Sequence, residues 1–232
     1  MAINHLPSES ELVQDVLAQC EQHGENPLAL AGDVSADADC RAMAQELGRH
    51  WGELHAVVNN AGITRHVPDH SQLESLSAED FLRIYAVNVV GGYQVTRACR
   101  HLLEAGAASM GLPASVVNVS SLSARSGGGS SIAYAASKGA LNTMTLSLAR
   151  ALAPAIRVNA VCPSYIDSGW FTKGQGAAAD RALRDQVRET VPLGVALMPE
   201  DVARLVCYLV STESRFQTGE LLDIDAGHKL VE

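Results

Sequence analysis

The 232-residue sequence predicts a single α/β domain built on a doubly wound parallel sheet. Short apolar runs of strand length alternate with amphipathic stretches of helical length. Small and polar residues gather where the apolar runs end, at the carboxyl ends that open α/β sheets turn toward ligands. No linker or internal repeat interrupts the alternation, so residues 1–232 read as one domain.

The elements follow in order. Met1-Ala2-Ile3-Asn4 is a strand's tail. In the helix after it, Ser8 and Glu11 have capping-box spacing, and Leu12, Val13, Val16, Leu17 and Cys20 share one face. Gly24 stops that helix. Residues 28–31 form a strand ending at Gly32-Asp33, residues 36–50 a helix, and residues 54–58 a buried strand running into Asn59-Asn60-Ala61-Gly62. Ser77 and Asp80 open a long helical region that passes Asn88 and ends near Ala105. The strand at 115–119 delivers Ser120 and Ser121, and a Gly/Ser-rich loop at 126–131 leads into a helix through Tyr134, Lys138 and Leu152. A strand at 156–161, an irregular stretch at 163–176, helices at 179–190 and 199–210 and a last strand at 221–224 complete the chain.

Composition excludes several function classes. A net charge of −9 argues against nucleic acid, whose phosphates require clustered Lys and Arg. The five cysteines (Cys20, Cys40, Cys99, Cys162, Cys207) are scattered and form no C-x-x-C pair, which suits reduced thiols. No run approaches the length of a membrane span and no basic-then-apolar leader opens the chain, so a cytoplasmic protein is expected. His66 and His70 lack metal-ligand spacing, and no metal is expected. P-loop and G-x-S-x-G motifs are absent, which disfavours nucleotide kinases and α/β-hydrolases. Asn118-Val119-Ser120 is a glycosylation sequon on a core strand and is expected to stay unmodified.

The chemistry-bearing signal is Tyr134-Ala135-Ala136-Ser137-Lys138. Positions i and i+4 share a helix face, so phenol and ammonium point into one space. A free phenol titrates near pH ~10, and a neighbouring ammonium favours phenolate, which makes a better proton shuttle. Such a pair alone is usually a surface pair, so the surrounding residues decide. Ser121, 13 residues earlier at a strand end, can hold a carbonyl oxygen while the phenol protonates it; Ser120 reads as a strand-end cap. Asn88 lies in an otherwise apolar stretch, where a buried amide needs partners and is either a core group or a site residue.

Together, Asn59-Asn60-Ala61-Gly62, Asn88, Val116-Val117-Asn118-Val119-Ser120-Ser121, Tyr134-x-x-x-Lys138 and Arg157-Val158-Asn159-Ala160-Val161 with Pro163 resemble the short-chain dehydrogenase/reductase family over essentially the whole chain. The resemblance implies a Rossmann-like fold, an NADP or NAD cofactor with NADP slightly favoured, a small carbonyl or alcohol substrate, and a homo-oligomer, tetramer or dimer. By the same resemblance Tyr134 is the general acid/base, Lys138 lowers its pKa and holds the nicotinamide ribose, Ser121 orients the carbonyl, and Asn88 anchors a water. Asp33 and Val34 would flank the adenine, Asn60 and Ala61 the ribose and phosphate path, and Pro163 and Ile166 the nicotinamide. The family includes 3-oxoacyl-carrier-protein reductases and aldehyde or ketone reductases, the latter echoed in Asn4-His5-Leu6-Pro7-Ser8.

Two departures stand out. Pro163-Ser164 replaces the family's usual Pro-Gly. The family also opens with a strand, a Gly-rich turn and a helix that receive the pyrophosphate. This sequence begins in the middle of the family's second strand, so one βα unit is expected to be missing, a mis-called start being one origin. The look-alike Gly174-Gln175-Gly176-Ala177-Ala178-Ala179 follows a loop and lacks the strand that such a turn requires. Against a carbonyl reductase stand two rivals: a binding or assembly protein that retains the fold without turnover, and a lyase or isomerase using the same Tyr–Lys pair.

Overall fold

The structure, a computed structural model, describes residues 1–24 and 26–231. Strands β1 (Ala2–His5) and β2 (Leu28–Ala31) pair in parallel as a two-stranded sheet. Strands β3 (Ala56–Asn59), β4 (Ala114–Val119), β5 (Ile156–Pro163) and β6 (Leu221–Ile224) form a four-stranded parallel sheet in that order. The connecting helices are α1 (Ser10–Gln22), α2 (Asp37–Trp51), α3 (Ala78–Tyr85), α4 (Gly92–Met110), α5 (Ser123–Ser126), α6 (Ile132–Leu152), α7 (Trp170–Gln175), α8 (Ala177–Thr190) and α9 (Pro199–Val210). No helix among the described residues is long and apolar enough to cross a membrane.

Side chains alternate across a strand, so the central strands feed two cores. Val116 and Val158 pack with Cys40, Met43 and Leu103 from α2 and α4 on one face. Val117 and Val161 pack with Val202 and Leu209 of α9 on the other. Such two-sided cover is the doubly wound arrangement, and it explains why β5 is buried at every position.

The parallel sheet is split. Neither rearrangement nor lateral shift joins β1–β2 to β3–β6, and β3 bonds to β4 on one side only among the described residues. Its burial shows the consequence: Ala56 and Val57 are half-buried, and Val58 is 44% exposed. The smaller sheet is held by packing instead, with Leu30 in the core that α2 and α4 share and Gln94 Nε2 donating to Val34 O at 2.9 Å.

Several boundaries differ from those the sequence suggests. Helix α1 begins at Ser10 without a side-chain cap, so Ser8 and Glu11 form no capping box; a short 3₁₀ turn at Pro7–Glu9 precedes it. Its expected apolar face is only partly used, since Val13 is buried while Leu12 is 65% exposed. Strand β3 starts two residues late because the Leu54 N–H donates to Leu102 O on α4 rather than joining the ladder. Strand β5 runs on to Pro163 because β6 pairs with Cys162 and Pro163. The long helix opens with the expected Ser77–Asp80 capping box, but a π-helical stretch at Ala86–Gly91 divides it around Asn88. The irregular stretch at 163–176 contains α7. Gly176, at φ +86°, breaks α7 from α8, so the Gly-x-Gly look-alike spans the junction of two helices. Asn118 is fully buried between Asn59 and Thr145, out of reach of glycosylation.

Helix α4 approaches the lead-in to β3 at Gly106, where an added Cβ would stand 2.1 Å from Leu54 O. Backbone cannot yield as a flexible side chain does. Gly106→Ala is expected to destabilise the fold by about 1–3 kcal/mol, read as a lowered midpoint in urea unfolding. An unchanged midpoint would show that the helix shifts freely.

Candidate active site

Tyr134 and Lys138 lie in the first two turns of α6. Ser131 caps that helix, its Oγ accepting the Tyr134 N–H at 3.2 Å, so the phenol is positioned from the helix's first turn. One turn later Lys138 Nζ donates to Val119 O at 2.7 Å, at the carboxyl end of β4. Ser120 Oγ returns a bond to Lys138 O at 3.3 Å. Ser121 follows directly: its Oγ donates to Ser123 Oγ at 3.1 Å and accepts the Ser123 N–H at 3.2 Å.

Asn88 occupies the π-helical stretch, a deformation often retained at functional sites. Its Oδ1 accepts the Ile63 N–H at 2.8 Å, and its Nδ2 donates to Ile63 O and to Ser137 Oγ, each at 3.0 Å. Ser137 Oγ in turn donates to Tyr134 O at 2.7 Å. The amide therefore fastens the loop after β3 to the turn of α6 that carries the phenol.

Burial dominates the electrostatics. It pushes the Tyr134 phenol up to about 12, opposed by a hydrogen bond with Ser121. It pushes the Lys138 ammonium down to about 8, opposed by the charge influence of Cys162. Lys138 Nζ stands 5.5 Å from the Tyr134 ring centroid. Burial thus keeps the phenol neutral at physiological pH.

A cavity of about 850 Å³ brings together Asn60, Ser121, Tyr134, Lys138, Pro163 and Ile166. Asn88 lies one layer behind, beside Gly62, where a Cβ would come within 3.5 Å of Asn88 Oδ1 and 3.6 Å of Lys138 Nζ. Three other sequence candidates are not part of the lining. Asp33 accepts from Ser35 N and Ser35 Oγ in a local turn, Val34 is buried, and Ala61 is exposed beside the cavity mouth residues Asn60 and Gly62. Sequence reasoning missed the hydroxyls of Ser123, Ser131 and Ser137. Ser131 had a signal, since it precedes Tyr134 by three residues at a helix start. It also missed Asp180, which accepts from Tyr165 Oη at 2.6 Å and from Thr172 Oγ1.

Comparison with known proteins identifies the family. The family described as Enoyl-(Acyl carrier protein) reductase matches residues 2–229. A putative ketoacyl reductase of the granaticin polyketide synthase from Streptomyces violaceoruber is 38% identical over 205 residues, 88% of this chain and 78% of that protein. The chain belongs to the short-chain dehydrogenase/reductase family. This short-chain dehydrogenase/reductase is also similar to 4-formylbenzenesulfonate dehydrogenase of Comamonas testosteroni, 33% identical over 88% of the chain and 78% of the relative. A putative short-chain dehydrogenase/reductase from Burkholderia xenovorans superposes with a TM-score of 0.89 at 39% identity, covering 99% of this chain and 87% of that one. The protein is an oxidoreductase of that family.

Lys138, Lys173 and Lys229 are the only lysines, so ¹³C-lysine NMR can follow each ammonium separately. Lys138 is expected to titrate near 8, while pairing with Asp223 holds Lys229 above its ordinary 10.5. A Lys138 midpoint above 10 would show that water reaches the ammonium and that the site is less dry than described.

Proposed function

We propose that the protein transfers a hydride between a nicotinamide cofactor and a carbonyl/alcohol pair, with Tyr134 as general acid/base. What supports this reading most is one arrangement: Ser121 Oγ, the Tyr134 phenol and a buried Lys138 ammonium around one cavity at the carboxyl ends of β4 and β5. The residues present suit the nicotinamide end of such a cofactor. An ammonium has three protons, of which Val119 O takes one, and glycine at position 62 keeps the space beside Lys138 open. A reduced nicotinamide held there would supply the hydride.

In reduction, Ser121 Oγ holds the carbonyl oxygen and Tyr134 gives that oxygen its proton. The Lys138 ammonium stabilises the phenolate left behind. Asn88 and Ser137 keep the phenol's helix turn in register with the loop after β3. Pro163 and Ile166 would border a nicotinamide and Lys138 would hold its ribose; Asn60 and Ala61 would lie toward the phosphates, with Asp33 and Val34 toward the adenine. The working form is a cytoplasmic homo-oligomer, most simply a tetramer.

Tyr134→Phe keeps the ring and removes only the hydroxyl. It is expected to lower ketone reduction by at least about 10²-fold, the low end of what a positioned proton donor contributes, with unfolding unchanged. Wild-type turnover in that variant would remove the phenol from the chemistry.

Cofactor affinity is the second expectation. The family's phosphate-binding turn belongs to a strand at the centre of the sheet, where this sheet is split between β1–β2 and β3–β6. The chain is expected to bind NADPH with no more than millimolar affinity by isothermal titration, and NADH no more tightly. The NADP preference rests on the carboxyl end of β1, where Asn4 and His5 put no carboxylate against a 2′-phosphate. Micromolar affinity would show that the split costs the cofactor little; tighter NADH would reverse the preference.

A further inference from the structure

The reading of a carbonyl reductase leaves the substrate open, and the cavity walls narrow it. Helix α8 contributes Ala179, Ala182, Leu183, Gln186 and Val187, the positions of a single helical stripe, apolar but for one amide. The two of its charged residues that are not exposed are engaged elsewhere. Asp180 accepts from Tyr165 and Thr172, and Arg184 reaches Asp167 at 3.4 Å and Asp185 at 3.5 Å. Among the described residues lining the cavity there is no Asp, Glu or Arg; Lys138 is the lysine, and His228 adds an imidazole.

Aromatic rings complete the wall beside the reacting position. Trp170 lies 6.3 Å from the Tyr134 ring, centroid to centroid, at 51°. Phe171 stacks on Tyr165 at 5.4 Å, which fixes the helix turn that carries Trp170. A carbonyl held by Ser121 and Tyr134 therefore has its substituent within reach of the indole face. Offset aromatic contacts operate at centroid separations of ~4.5–7 Å.

Building on that reductase reading, we infer that the substrate is an uncharged carbonyl compound carrying an aryl or similarly flat apolar group next to the reacting carbon, and that Trp170 is the surface it lies against. An anionic substituent would lose water with no guanidinium to meet it. A carboxylate would also be drawn to Lys138 and pull the carbonyl away from Tyr134.

The test compares reduction of acetophenone, 4-acetylbenzoate and butanone at one fixed, millimolar NADPH concentration, in the wild-type chain and in Trp170→Leu. The proposal requires kcat/KM for acetophenone to exceed that for 4-acetylbenzoate by at least tenfold. In Trp170→Leu the acetophenone value falls through KM at least tenfold more than the butanone value does. Equal use of the anionic and neutral aryl ketones, or loss of both ketones alike in the variant, overturns the substrate class and leaves the reductase reading standing. Reduction of none of the three removes the reductase reading, and the substrate class with it.

Discussion

The bond from Lys138 Nζ to Val119 O, at 2.7 Å, sets the register of the whole site. A buried ammonium without a partner is costly, so α6 cannot slide or turn on β4 without stranding that charge. With Lys138 fixed, helix geometry puts Tyr134 one turn back on the same face, over the cavity. Strand geometry puts Ser121 two residues beyond the accepting carbonyl, on the cavity side. The same seating lets Ser137 meet Asn88, which carries the constraint through the π-helical turn to Ile63. Burial that lowers the lysine to about 8 and raises the tyrosine to about 12 follows from the same close seating.

All of these groups belong to the four-stranded part of the fold. Strands β4 and β5, helix α6 and the loop after β3 assemble the phenol, the ammonium and the hydroxyl, and the core beneath them is closed on both faces. The split between the two sheets leaves β3 half-exposed without touching the bonds that hold Tyr134, Lys138 and Ser121. The arrangement of these three side chains therefore does not depend on the smaller sheet.

The order of strands and helices was legible because apolar period and turn residues agree along most of the chain. The Tyr134–Lys138 pair, Ser121 and Asn88 were legible as candidates because each is a polar group placed where the pattern calls for an apolar or capping residue. Their partners were less so. Ser131 and Ser137 look like ordinary helix serines until three-dimensional contacts show that one caps the helix and the other bridges to Asn88. The π-helical turn has no local sequence signal, since it arises where α3 and α4 must present Asn88 to a loop 25 residues away in sequence. The Ser8–Glu11 box failed because Pro7 starts a 3₁₀ turn that shifts the helix onset to Ser10. The burial that raises the phenol was not legible, because spacing predicts proximity, whereas desolvation depends on a closed core that spacing does not reveal.

Isotope tracing tests the central claim most directly, since it follows the hydride itself. A ketone is incubated with the protein and NADPH carrying deuterium at either face of nicotinamide C4, and the alcohol is analysed by mass spectrometry and ¹H NMR. The account predicts one deuterium from one labelled face, bonded to the former carbonyl carbon, and a hydroxyl proton that comes from water. Product without deuterium at that carbon from both labelled forms, or label lost to solvent, would contradict hydride transfer at this site.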